Sequence, residues 1–175
     1  MDAKRNLYQA IDRLLQVQSI DQVSIDMILE ESDVSRATFY RHFKDKYDLM
    51  HWFYGSYVKK AVFHPESTWE EIILNTANFT FDNREYLRNA IKYEGQNSFP
   101  NFIQNFSRDF CISRYKSIYK VDELPTYILF AIEYHCAGAV QIFSSWLKSD
   151  MSIPPEELSK MFYQCVPATL KEVLA

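Results

Sequence analysis

The side chains with the most evident chemistry in this 175-residue chain are crowded into one short run, Ser35-Arg36-Ala37-Thr38-Phe39-Tyr40-Arg41-His42-Phe43-Lys44-Asp45-Lys46. Their chemistry is that of binding polyanions and reading base edges. Arg suits charge and guanine, Thr and Ala suit the thymine methyl, and Tyr and His suit phosphate oxygens. Ser35 is a good N-cap for a short helix. Phe39 and Phe43 lie four residues apart, so they share one face and can be buried. Arg36, Ala37, Thr38, Tyr40, Arg41 and His42 then fall mostly on the other faces.

A helix that reads DNA needs a partner helix to set its angle. Just upstream, Ser24 is a second N-cap candidate, and Ile25, Ile28 and Leu29 form an apolar i, i+3, i+4 set. Ser32-Asp33-Val34 gives the three-residue link of a helix-turn-helix, with Val34 as the plug of the joint. In such a motif the first helix crosses the DNA backbone and the second enters the major groove. Ser24, at the start of the first of these helices, is placed to meet a phosphate.

The block from Val23 to Ser35, continued through Thr38-Phe39-Tyr40-Arg41-His42-Phe43-Lys44-Asp45-Lys46, resembles the TetR family of one-component transcription regulators. The likeness runs over the first third of the chain. It implies that Arg36, Ala37 and Thr38 read bases, and that Lys46 and Tyr40 hold phosphates. Ser24, Ser35 and His42 complete the DNA-binding set. Arg41 and Lys44 fit either phosphate contacts or plain surface charge. Two departures stand out. Asp33 occupies the turn position where the family usually has Gly, and Asp tolerates the left-handed region better than most residues. No Gly stands near Ser19, where the family often leaves its first helix.

The chain's net charge of −4 is divided unevenly. Residues 1–62 are neutral overall, residues 63–175 carry −4, and the stretch Asp33–Lys60 carries +3. The acidity thus lies away from the expected DNA face, which suits specific binding with modest non-specific affinity. Cys111, Cys136 and Cys165 form no CxxC or Cys/His ligand set and read as reduced core thiols. No metal or cofactor is expected. No apolar run reaches the length of a membrane span, and Met1-Asp2-Ala3-Lys4-Arg5 opens an amphipathic helix, so a cytoplasmic protein without membrane contact is expected.

The remaining pattern is helical throughout, with few glycines and no strand alternation. Leu7, Ile11, Leu14 and Leu15 mark a first helix. Asp45 caps a fourth, which runs to about Val62 and is broken by His64-Pro65. Thr68-Trp69-Glu70-Glu71 is a capping box, a break falls near Asp82-Asn83, and Pro167 kinks the last helix. The fold class is therefore all-α, with a helix-turn-helix head of three helices over residues 1–45 and a helical regulatory and dimerisation body over 46–175.

Within the body, the segment Leu124–Lys148 is apolar on more than one face. The TetR resemblance implies that it and Pro155–Val173 pair with their symmetry mates in a homodimer that reads a near-palindromic site on double-stranded DNA. The pattern Tyr134…Gly138…Trp146-Leu147…Pro155-Glu156-Glu157-Leu158 also resembles a C-terminal subgroup that includes activators of dihydroxyacetone kinase operons. Phe79, Tyr86, Phe102, Phe106, Tyr134 and His135 are candidates to line an effector pocket, with Glu94 and Glu133 as further polar handles. Equally, aromatic stripes at helical spacing simply pack.

Two other classes compete. An enzyme needs a positioned nucleophile and base, and no Ser/His/Asp, Cys/His, HExxH or phosphate-loop pattern is present. A non-DNA adaptor has no need of Arg36-Ala37-Thr38 and the basic residues beside them. The sequence thus points to a DNA-binding transcriptional regulator, either a ligand-responsive repressor or an activator under a protein co-regulator.

Overall fold

A computed structural model describes residues 3–61 and 67–174. Among them are ten helices and no strand: α1 (Ala3–Val17), α2 (Ile25–Ser32), α3 (Arg36–His42), α4 (Lys46–Ala61), α5 (Trp69–Asp82), α6 (Arg84–Ala90), α7 (Phe99–Tyr119), α8 (Thr126–Lys148), α9 (Pro155–Gln164) and α10 (Ala168–Leu174). The all-α class is as the sequence reads. The expected end of the fourth helix near Val62 and its break at His64-Pro65 lie outside the described residues.

The chain divides into two compact units, residues 1–61 with 83–99, and residues 62–82 with 100–175. This differs from the division expected at residue 45, for two physical reasons. Leu49 and Met50 in the first turns of α4 are fully buried with Leu7, Ile11, Leu15, Ile28 and Phe39, so α4 belongs to the core of the first unit. The short α6 joins it as well. The Asn89 side-chain amide donates to the Leu15 carbonyl at 2.9 Å, and the Asn89 carbonyl accepts from the Ile20 N–H at 3.2 Å. The first bond satisfies a carbonyl left open at the end of α1, and the second holds the loop just beyond it. Tyr8 stacks on Phe53 at 4.3 Å, and Phe53 meets Tyr86 edge-on at 5.3 Å.

In the second unit α5 packs on α9, and α8 on α10. Thr68 and Glu71 form the expected capping box: the Thr68 N–H donates to Glu71 Oε2 at 2.8 Å and the Glu71 N–H to Thr68 Oγ1 at 3.2 Å. Phe143 stacks on Phe162 at 4.5 Å, and Trp146 Nε1 donates to the Ile153 carbonyl at 3.0 Å. Pro167 does more than kink the last helix. α9 ends at Gln164 and α10 starts at Ala168, because proline supplies no N–H to continue the ladder. Cys111 and Cys136 are buried. The hydrogen bond between them, together with burial, raises the Cys111 thiol well above its ordinary value. Cys165 corrects the expectation of three core thiols, because it is exposed.

Burial lowers the pKa of His51 in the first unit and of His135 in the second below the ordinary 6.5. A group depressed in the fold takes its proton more readily when unfolded. The stability tied to its neutral form is therefore complete above about pH 6.5 and is lost as pH falls below that, at no more than about 1.4 kcal/mol per pH unit per group. Thermal unfolding should show the midpoint falling between about pH 7 and pH 5.5, and His135→Gln should remove part of that slope.

A second expectation concerns Asp33, whose φ of 53° and ψ of 37° are left-handed. Replacing it with Gly should leave stability unchanged or raise it by up to about 1 kcal/mol, whereas Val should cost about 1–2 kcal/mol. Chemical denaturation of the purified protein reads both.

Candidate nucleic-acid interface

Both helices of the motif are set by their caps. Ser24 is extended, and its hydroxyl accepts from the Met27 N–H at 3.2 Å. Ser35 does the same for Thr38 at 3.2 Å and also donates to the Thr38 hydroxyl at 3.0 Å. Between them, Asp33 turns the chain through the left-handed region while its N–H returns to the Leu29 carbonyl. This satisfies an open carbonyl of α2 and aims α3. Asp45 starts α4 by accepting from the Asp48 N–H at 2.8 Å, and Asp48 accepts in turn from the Lys44 N–H at 3.0 Å.

Phe39 on α3 is fully buried, and Phe43, which caps its C-terminal end, is nearly so. Ser35, Arg36, Ala37, Tyr40, Arg41 and Lys44 are exposed, while Thr38 and His42 are half-buried. The structure therefore leaves Arg36, Ala37, Tyr40 and Arg41 exposed on one short helix, with Ser35 and Lys44 exposed just beyond its two ends and Ser24 exposed at the start of α2, while Lys46 stands apart on α4. Tyr40 meets Phe39 edge-on at 5.3 Å, which holds its ring at the surface while leaving half of it open.

Two residues have occupations that residue type alone does not show. Lys46 Nζ donates to the Val23 carbonyl at 2.8 Å and the Asp21 carbonyl at 3.3 Å, and lies over the Tyr47 ring at 5.2 Å. Its pKa is lowered by burial, against the pull of Asp21 and Asp45. Lys46 thus braces the loop before α2 with two of its three donors. Arg36 is ion-paired to Asp26 of α2. Neither link follows a short sequence spacing, so neither could be read from periodicity.

The candidate effector residues are dispersed. Tyr86 is closed within the first unit against Phe53. In the second unit Phe102 and Phe106 adjoin at 6.2 Å, Phe79 is half-buried, and His135 is buried beside Trp69 at 6.0 Å. Tyr134 points outward, 72% exposed, stacked on the equally open Phe130. Glu133 pairs with Arg108 at 2.5 Å, and Glu94 is exposed in the first unit. No group of three metal-ligating side chains exists among the described residues, and no described helix is long and apolar enough to cross a membrane.

Residues 7–51 match the model for bacterial regulatory proteins of the tetR family, and residues 67–167 match that for a transcriptional regulator C-terminal region. The chain belongs to the TetR family. TetR proteins are transcriptional regulators that generally bind DNA. No curated protein matches this TetR chain at a significant level. Solved structures share its fold. The dihydroxyacetone kinase operon activator DhaS is 16% identical over 99% of both chains, with a TM-score of 0.66. A TetR transcriptional regulator from Streptococcus agalactiae is 18% identical over 94% of this chain and 93% of its own, also at 0.66. NalD of Pseudomonas aeruginosa, secondary repressor of the MexAB-OprM multidrug efflux pump, is 12% identical over 93% of each chain, at 0.57.

The brace made by Lys46 leads to a measurable outcome. Lys46→Met should destabilise the first unit by about 1–3 kcal/mol, because it strips donors from the Val23 and Asp21 carbonyls. It should also weaken binding to all DNA sequences alike. Denaturation and binding titrations on the same preparation check the pair of effects.

Proposed function

We propose that this TetR protein is a sequence-specific DNA-binding regulator that acts as a homodimer, with α3 as its recognition helix. The observation that carries the reading is the exposed side of α3, where Arg36, Ala37 and Tyr40 stand open over a helix anchored by Phe39. Base edges are read from Arg36, Ala37 and Thr38. Phosphates are held from Ser24, Tyr40, His42 and the nearby cations Arg41, Lys44 and Lys46. A DNA-binding regulator works beside the chromosome, so the reading places the protein in the cytoplasm and assigns it no catalytic step.

The dimer is supported by α8. Tyr127, Phe130, Tyr134 and Ile142 are exposed along it, and Gly138 has nothing within 4 Å of where a Cβ would stand. An apolar stripe of this kind asks to be covered, and a glycine in it admits the close approach of a second helix. α9 adds Met161 and Tyr163. The partner that fits is a second copy, pairing through Leu124–Lys148 and Pro155–Val173.

Ligand-responsive repression is our first reading of its regulation. Its support is local: the buried indole N–H of Trp69 finds no acceptor among the described residues and lies beside His135. A buried donor left open favours a ligand that brings an acceptor. The second reading, an activator under a protein co-regulator, is favoured by the likeness to DhaS over 99% of both chains. Transcription from a bound promoter in vitro separates the two by its direction.

Selection of bound fragments from genomic DNA, followed by footprinting, tests the core of the proposal. We expect two half-sites related by two-fold symmetry, with recognition helices about 34–36 Å apart or a multiple of that. Arg36→Ala should relax base preference at one position at a cost of about 1–3 kcal/mol. A single half-site, or a monomer in sedimentation at micromolar concentration, would contradict the dimeric reading.

A further inference from the structure

Cys111 of α7 and Cys136 of α8 are far apart in sequence, yet both are buried, at 1% and 2% exposure, and their thiols share a hydrogen bond. Other contacts fix the meeting of the two helices independently. One turn before each cysteine, Arg108 of α7 pairs with Glu133 of α8 at 2.5 Å. The Trp69 ring of α5 lies 5.9 Å from that of Phe110 and 6.0 Å from that of His135, the residues just before the two cysteines. The sulfurs are thus held together from both helices, inside an aromatic setting. Packing alone asks only for two small apolar side chains here. Two sulfurs in contact add a further capacity, because as thiolates they are paired soft donors. Arg114, one turn beyond Cys111, favours the thiolate by its charge.

The donor set selects the cation. Zinc takes four protein ligands in structural sites and three in catalytic ones. Among the described residues no group of three or more His, Cys, Asp or Glu side chains could hold a metal. Calcium and magnesium require oxygen ligands. Two thiolates alone suit a soft cation satisfied by two opposed donors, and among biological metals that is Cu(I).

We propose that Cys111 and Cys136 form a two-coordinate site for Cu(I) that bridges α7 and α8. It stands independently of the DNA-binding reading. On binding, both thiols release their protons to solvent. Two S–Cu bonds replace two S–H bonds, the copper stays Cu(I), and no electron is transferred. The cation takes the place of the proton shared between the sulfurs. The bis-thiolate carries one negative charge, and the Arg114 guanidinium lies near enough to favour it. The hydrogen bond to Cys136 and burial together hold the free Cys111 thiol in its protonated form. Oxidants attack thiolates, so the empty pair resists them, whereas a soft cation displaces the protons.

The test uses the full-length protein, reduced and kept anaerobic, with Cys165→Ser to remove the exposed thiol. Cu(I) is supplied as its bicinchoninate complex, and transfer to the protein is read from loss of the chelate's colour. One Cu(I) should move to each chain. Adding Cys111→Ser or Cys136→Ser should weaken uptake by more than about a hundredfold, beyond the cost of losing an outer-shell partner, with circular dichroism to check that each variant is folded. X-ray absorption at the copper edge of the loaded Cys165→Ser protein tests the site without those variants. It should show two sulfur neighbours and no others. No transfer from bicinchoninate to the Cys165→Ser protein, full uptake without Cys111 or Cys136, or copper with nitrogen or additional sulfur neighbours would overturn the inference.

Discussion

The left-handed turn at Asp33 is the constraint on which the exposed surface of α3 depends. An ordinary residue there would carry α2 onward or leave the chain extended. Asp33 instead reverses direction within one residue and returns its N–H to Leu29. Everything beyond it inherits that angle. Ser35 can then cap α3, Phe39 can reach the core beside α1, and the opposite side of α3 is left outside. The penalty for an L-residue in this region is about 1–2 kcal/mol. It is borne by a unit whose buried side chains over-determine the geometry, and Asp is among the residues that bear it best.

The second requirement is stiffness. Contact residues specify sequence only if their helix keeps its angle under load. α3 alone is too short to be stable, so its order comes from its surroundings. Lys46 clamps the loop that leads into α2, Asp45 and Asp48 fix the corner into α4, and Arg13 bridges to Glu31 at 2.5 Å between α1 and α2. Asn89 of α6 closes the end of α1 from far along the sequence. Exposed ion pairs such as Arg13–Glu31 contribute little stability singly. The buried aromatic and aliphatic side chains supply most of it, and the polar links select the arrangement.

Much of this was legible in the sequence because it is local. Ser24, Ser35, Asp45 and the Thr68–Glu71 box announce helix starts within four residues of their partners. The Phe39–Phe43 spacing separates a buried side of α3 from an open one. The left-handed turn could be anticipated from the residue type at Asp33. What escaped was non-local. Lys46 has the type of a phosphate contact, yet it is braced on carbonyls more than twenty residues earlier. The Arg36–Asp26 pair spans two helices. α6 reads as part of the body because it follows α5, but Asn89 and Tyr86 secure it in the first unit. Helical spacing also could not tell which of α8's apolar residues face inward, so Tyr134 reads as a pocket residue although it stands open beside Phe130.

The central claim is that the exposed side of α3 is the surface that meets DNA. A photo-reactive amino acid placed singly at Ala37, Tyr40, Tyr127 or Phe130 tests it most directly, in the full-length protein with a selected genomic fragment. Positions 37 and 40 should cross-link to the DNA strand. Positions 127 and 130 should cross-link only to a second copy of the chain. DNA cross-links from 127 or 130, with none from 37 or 40, would contradict the account.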